Sequence, residues 1–171
     1  NLEKIDKQEN NIARELLEKA GELGLLGIST PEELEGFGQS FVTSMLASEV
    51  MGSAYSFAVT YSCHTGIGSM PILYFGNEEQ KQKYLVPMAS GKCWGAFLLS
   101  EPEAGSDATS QRTTAEDKGD YYLLNGTKNW ITNGSTAKYY LVIAQTHVEL
   151  KHKGINAFIV EKDSPGIVVG N

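Results

Sequence analysis

Apolar positions follow a helical period up to about residue 91 and a strand-like period after it. Ile5, Ile12, Leu16, Ala20 and Leu23 recur at spacings near three, four and seven, which predicts one amphipathic first helix whose stripe stops among Gly21, Gly24 and Gly27. Thr30-Pro31-Glu32-Glu33 predicts a capping box: Thr30 accepts from the Glu33 N–H, Glu33 reaches back, and Pro31 sits where its missing N–H costs nothing. Gly36-Phe37-Gly38 breaks the chain, and Val42, Met45, Leu46 and Val50 resume helical spacing up to Gly52. Residues 53 to 75 are mostly small or apolar, with Ala58, Val59, Ile67, Met70, Ile72 and Leu73, which predicts helices buried on several faces and the centre of the core. Asn77-Glu78-Glu79-Gln80 repeats the capping-box pattern with Asn as the cap, opening a helix that Pro87 bends or ends.

After Gly91 the period changes. Cys93 to Ser100, Tyr121 to Leu124, Tyr139 to Thr146, Ile155 to Val160 and Ile167 to Val169 are short runs rich in aromatic and β-branched residues. Turn clusters separate them, among them Asp117-Lys118-Gly119, Asn125-Gly126 and Asp163-Ser164-Pro165-Gly166. Segregated elements of this kind predict an α+β fold: an all-helical domain over residues 1–91, then an antiparallel β-domain over 92–171.

Composition narrows the function. At 171 residues, 41% hydrophobic and 20% charged, the chain has the balance of a globular protein. A net charge of -7 without a Lys/Arg block argues against a nucleic-acid surface, although backbone N–H groups could still hold one anionic ligand. No apolar run approaches the roughly 20 residues needed to span a bilayer, and the polar start at Asn1 lacks the regions of a signal peptide. Cys63 and Cys93 form no CxxC pair and read as buried free thiols, while the sequons at Asn125 and Asn133 read as turns.

The chain lacks GxGxxG, GxxxxGK[ST] and HExxH, and His64, His147 and His152 fall in no metal spacing. Ala104-Gly105-Ser106-Asp107 is not the GxSxG elbow of a serine hydrolase. His64 beside Cys63 imitates a nucleophile pair, but adjacent residues rarely face each other in a helix, which favours a core or interface histidine. Two clusters remain. Leu99, Ser100, Gly105 and Ser106 lie where a strand gives way to a loop, where free N–H groups and hydroxyls can meet carbonyl or phosphate oxygens. Trp130-Ile131-Thr132 offers an aromatic surface and a hydroxyl two residues on, which would share one face of a strand and address one heterocycle. Against this stands the ordinary reading of a turn serine and a core tryptophan, and the residues alone leave the two readings even.

Ser100-Glu101-Pro102, Gly105-Ser106-Asp107 and Leu124-Asn125-Gly126, with Lys128 and Trp130-Ile131-Thr132-Asn133, resemble in order and spacing the signatures of the acyl-CoA dehydrogenases. The resemblance extends to Leu23-Gly24-Leu25-Leu26-Gly27 with Pro31-Glu32-Glu33, and to Pro71-Ile72-Leu73, Phe75-Gly76 and Glu79-Gln80-Lys81, so it covers nearly the whole chain. It implies FAD as cofactor, held by Phe97, Leu99, Ser100, Gly105, Ser106, Trp130, Ile131 and Thr132, with Ser106 also near the acyl-CoA phosphates. Trp130 would pack against the isoalloxazine and Thr132 would point to N5, while Lys128 and Asn133 hold the loop. Glu35 departs from the family, in which many members carry glycine there.

The implied reaction dehydrogenates a fatty acyl-CoA to the trans-2-enoyl thioester, with electrons leaving to an electron-transfer flavoprotein. The implied setting is fatty acid β-oxidation by a homotetramer in the bacterial cytoplasm or mitochondrial matrix. In the family a glutamate from a C-terminal helical domain is the base. Nothing follows Asn171 here, so the chain is expected to be an inactive fragment that begins after the family's first helix and stops inside an incomplete β-barrel. Glu101 and Asp107 are expected to shape loops rather than act as that base. The alternatives are an acyl-CoA oxidase that passes electrons to oxygen, and a non-catalytic module that binds acyl-CoA or a partner.

Overall fold

The computed structural model describes residues 2–7 and 12–170. Helices α1 (Leu2–Asp6) and α2 (Ile12–Glu22) carry the first apolar stripe, whose expected course through residues 8–11 lies outside the described residues. Ile5, Leu17 and Ala20 bury that stripe against Leu26, Phe57, Tyr61 and Trp94. Leu23 is not part of it. It lies past the end of α2, just before Gly24 turns the chain in the left-handed region (φ 75°), and is 75% exposed.

The two expected capping boxes have opposite outcomes. At Asn77 the box forms: Asn77 Oδ1 accepts from the Gln80 N–H at 2.8 Å, and Gln80 Oε1 accepts from the Asn77 N–H at 3.0 Å. At Thr30 it does not. Glu32–Leu34 is a single 3₁₀ turn whose cap residue is Pro31, so the Thr–Glu spacing is out of register by one, and Thr30 is buried with no side-chain cap bond made. The turn ends on Glu35 at φ 60°, the left-handed geometry that glycine adopts without strain.

Helix α3 (Phe41–Met51) forms where the spacing predicts, with Ser40 as its N-cap, yet Phe41, Val42, Met45, Leu46 and Val50 are all exposed. Residues 53–75 also depart from expectation. They form α4 (Ser56–Ser62), a π-helical segment (Cys63–Gly68) and α5 (Met70–Phe75), burying Phe57, Tyr61, His64 and Ile72 while leaving Val59, Ile67, Tyr74 and Phe75 exposed. These helices have one face on the core and another uncovered. Composition alone does not separate that arrangement from burial on all sides.

The next helix runs through α6 (Glu78–Gln80), a second π segment (Lys81–Leu85) and α7 (Val86–Ala89). Both π segments precede a proline, Pro71 or Pro87. A proline lacks the N–H that would bond four residues back, and its ring crowds that carbonyl, so the preceding turn widens to a longer register. In the first segment the Ser69 hydroxyl also donates to the His64 carbonyl, at 2.6 Å.

Five strands form one open sheet among the described residues: β1 (Gly95–Leu98), β2 (Thr114–Asp117), β3 (Tyr122–Asn125), β4 (Tyr139–Gln145) and β5 (Ile155–Glu161). The α+β division holds, and the sheet is mixed. β2–β3 and β4–β5 are antiparallel, whereas β1 runs parallel to β4, with Phe97 opposite Leu141. β2 was not expected, because Thr114-Ala115-Glu116-Asp117 has low strand propensity and only Ala115 is buried. Ile167 to Val169 form no strand; Ile167 packs on the sheet face through its side chain instead.

β4 is buried on both faces, as its nearly unbroken apolar run requires. Tyr139 and Leu141 pack with Leu34, Ile72, Tyr84, Leu85 and Met88 beneath the helices. Tyr140 and Val142 point the other way, onto Ala96, Ala137, Leu98 and Ile131. Trp130's neighbour Ile131 is thus anchored on the sheet, which fixes one side of the site.

Candidate functional site

β1 delivers the first half of the site. Phe97 is still in the strand, the strand ends at Leu98, and Leu99 and Ser100 continue without regular structure. The π segment lies against the start of this strand because Gly68 and Gly95 allow close approach: a Cβ on Gly68 would stand 3.2 Å from the Gly95 backbone, and one on Gly95 would stand 2.6 Å from Met88 Cε.

The second half comes from residues 130–132, which are not a strand. Trp130 has φ 59°, Thr132 opens a turn, and Asn133 has φ 67°. The β-like reading fails because left-handed residues at 130 and 133 break the period of two. Ring and hydroxyl still meet at one place, by loop geometry rather than strand alternation. Trp130 is 93% exposed, so the indole is not a core residue.

Phe97, Leu99, Ser100, Trp130, Ile131 and Thr132 line a cleft of about 360 Å³, together with Cys63 and Ile67. Gly105 and Ser106 are exposed farther along the loop and do not line it. Asp107 caps the 3₁₀ turn Ala108–Ser110 beside them, accepting from the Thr109 N–H at 3.2 Å. Sequence reasoning missed Cys63 and Ile67. Their spacing of four puts both on one helical face, but the stretch read as core throughout, and only the contact with β1 turns that face toward the cleft.

Behind the cleft lies a buried polar cluster. Glu101 accepts from the Arg112 N–H at 2.5 Å, the Thr113 N–H at 3.0 Å and Lys128 Nζ at 2.7 Å. Lys128 also donates to the Leu99 carbonyl at 2.9 Å and to Gln111 Oε1 at 3.1 Å. The two charged side chains are 3% and 6% exposed. Burial alone would raise the Glu101 carboxyl, but the bonds from Arg112, Lys128 and Thr113 outweigh it and hold the group at about 2. For Lys128 burial wins over the attraction of Glu101, and its ammonium is held below the ordinary lysine value. Glu101 shapes the loop, as expected, and no carboxylate lines the cleft among the described residues.

The loop is tied down twice more. Asn129 donates its N–H to the Ser100 carbonyl at 2.8 Å, joining the two halves of the site directly. Asn133 Nδ2 donates to the Thr60 carbonyl at 3.1 Å, joining the loop to α4. His64 is a core histidine with both ring nitrogens engaged: Nδ1 accepts from the Gly95 N–H at 3.2 Å, and Nε2 lies 3.1 Å from the Met88 carbonyl, to which it donates as the neutral tautomer. Burial pushes its pKa down to about 4 against the opposing Met88 bond. Cys93 is a buried free thiol pushed up to about 11, chiefly by burial; Cys63 is free but only half-buried at the cleft wall.

Sequence models of the acyl-CoA dehydrogenase N-terminal domain and middle domain match residues 1–92 and 96–171. The chain belongs to the acyl-CoA dehydrogenase family. An acyl-CoA dehydrogenase of Bacillus subtilis (strain 168) is 50% identical over 157 residues, covering 91% of this chain and 41% of that protein. The mitochondrial short-chain specific acyl-CoA dehydrogenase of Rattus norvegicus is 42% identical over 155 residues, covering 90% and 38%. Among solved structures, an acyl-CoA dehydrogenase complexed with FAD from Bacillus anthracis superposes with a TM-score of 0.92 at 44% identity, over 99% of this chain and 29% of that one. The chain therefore spans about two fifths or less of these members of the acyl-CoA dehydrogenase family.

Proposed function

We propose that this chain forms the flavin-facing part of an FAD-dependent acyl-CoA dehydrogenase that converts a fatty acyl-CoA to the trans-2-enoyl thioester. The observation that carries the reading is the convergence of Phe97, Leu99, Ser100, Trp130, Ile131 and Thr132, from segments thirty residues apart, on one cleft. The cleft suits FAD in its donor set. Apolar walls from Phe97, Leu99 and Ile131 and an exposed indole match a flat aromatic face, and the hydroxyls of Ser100 and Thr132 match a polar heterocycle edge.

FAD, when bound, supplies the hydride-accepting chemistry. Trp130 would cover one face of the ring and Thr132 and Ser100 would offer hydrogen bonds to its edge, while Ile131 carries the loop on the sheet. Since the cleft lining holds no carboxylate among the described residues, α-proton abstraction falls to a base from the remainder of the longer protein. We further assign the helical part to residues 1–91 and the sheet part to 92–171. Ser106 and Gly105 extend the ligand surface beyond the cleft, toward the acyl-CoA phosphates. The electron acceptor is an electron-transfer flavoprotein, the assembly a homotetramer, and the location the bacterial cytoplasm or mitochondrial matrix.

The test is the visible spectrum of the full-length parent protein, with butyryl-CoA or palmitoyl-CoA added anaerobically. Bleaching of an oxidised flavin band by either thioester is the expected result. Rapid return of the band in air would mark an oxidase instead. A protein with no flavin band after reconstitution with FAD would overturn the enzyme reading.

A further inference from the structure

We infer that Lys128 and Glu101 are positioning residues of the cleft: their buried ion pair sets the orientation of the Leu99–Ser100 peptide and the distance between the two halves of the site. Lys128 has three N–H donors, and three acceptors surround it: the Leu99 carbonyl, Glu101 Oε1 and Gln111 Oε1. The ammonium is saturated, so it cannot swing to another partner without leaving a buried acceptor unpaired. Both Glu101 oxygens are engaged in turn, Oε1 by Lys128 and the Thr113 N–H and Oε2 by the Arg112 N–H.

The consequence for the cleft follows from peptide planarity. In a trans peptide the carbonyl and the following N–H point in opposite directions. Lys128 holds the Leu99 carbonyl inward, so the Ser100 N–H is aimed away from the ion pair, and it makes no backbone hydrogen bond among the described residues. The adjacent Ser100 carbonyl accepts from Asn129 at 2.8 Å, one residue before the exposed indole. One buried cation therefore orients a free donor at Ser100 and sits beside the bond that sets the position of Trp130. An apolar residue at 128 would fill the same space but leave the Leu99 carbonyl and Glu101 without their partner.

The identity of the ligand that uses these groups rests on the proposed function; the positioning itself does not. The test is hydrogen exchange on the full-length parent and its Lys128→Met variant, with flavin affinity measured on the same samples. Amide exchange around Asn129 is expected to accelerate at least about tenfold, with the β4–β5 amides unchanged, and flavin binding to weaken while the KM for thioester moves less than kcat. Glu101→Gln, nearly isosteric, should give the same local pattern at smaller size and serves if Lys128→Met does not fold. Local acceleration in a parent that holds no flavin would sustain the positioning role and overturn the flavin reading. Unchanged exchange, or a uniform rise that reaches β4–β5 in both variants, would assign the pair to general stability and overturn this inference.

Discussion

Trp130 joins an almost fully exposed ring to a left-handed backbone, two features that stability does not favour. A left-handed conformation costs a non-glycine residue roughly 1–2 kcal/mol, so Trp130→Gly is expected to leave the melting temperature of the full-length parent equal or higher. The same change should weaken flavin binding by about tenfold or more, because the stacking face is lost. A melt that drops with unchanged flavin affinity would reassign the indole to structure. His64 and Glu101 act on pH instead. Between pH 6.5 and about 4 the unfolded chain protonates its histidine while folded His64 stays neutral, so stability falls as pH falls through that window, by up to about 3 kcal/mol. Glu101 contributes fully above 4.5 and loses its contribution as pH falls toward about 2. Urea unfolding of the parent should show a two-stage acid loss, and His64→Gln, though less stable near neutrality, should lack the upper stage. A wild-type stability that is flat between neutrality and pH 4 would contradict this account of His64.

At the scale of elements, the cleft depends on how closely the Cys63–Gly68 segment approaches β1. A Cβ at Gly68 would stand 2.9 Å from the Cys63 carbonyl and 3.2 Å from Gly95. Gly68→Val is therefore expected to cost about 1–3 kcal/mol and to move Cys63 and Ile67 away from Phe97, reducing flavin affinity in the parent. Binding and stability both unchanged would show that this contact does not set the cleft. The elements also show what a linear pattern can carry. Asn77 was legible as a cap because a helix follows in register, whereas the same motif at Thr30 was misread because Pro31 became the cap of a single 3₁₀ turn. β4 stood out through its apolar run, and β2 did not, because a strand presenting only Ala115 to the core has no hydrophobic alternation.

On the whole molecule, Phe41, Val42, Met45, Leu46 and Val50 of α3 are exposed, and so are Tyr55, Val59, Tyr74 and Phe75 elsewhere on the helical half. Exposed apolar surface of this extent drives association. The 171-residue chain expressed alone is expected to self-associate, and Leu46→Lys with Val50→Lys to reduce that association in sedimentation velocity. A monodisperse wild-type monomer would show the surface to be tolerated in water. The division into a helical half and a strand-rich half, the cap at Asn77, the core role of His64 and the residues of the two segments that meet at the cleft were determined by the sequence, because each depends on spacing or side-chain chemistry within a few residues. Tertiary structure alone decided that β1 and β4 run parallel, that α3 faces outward, that Cys63 and Ile67 join the cleft while Gly105 and Ser106 stay outside its lining, and that Glu101 meets Lys128. Those outcomes depend on which distant surfaces come into contact, and local periodicity carries no information about its partner.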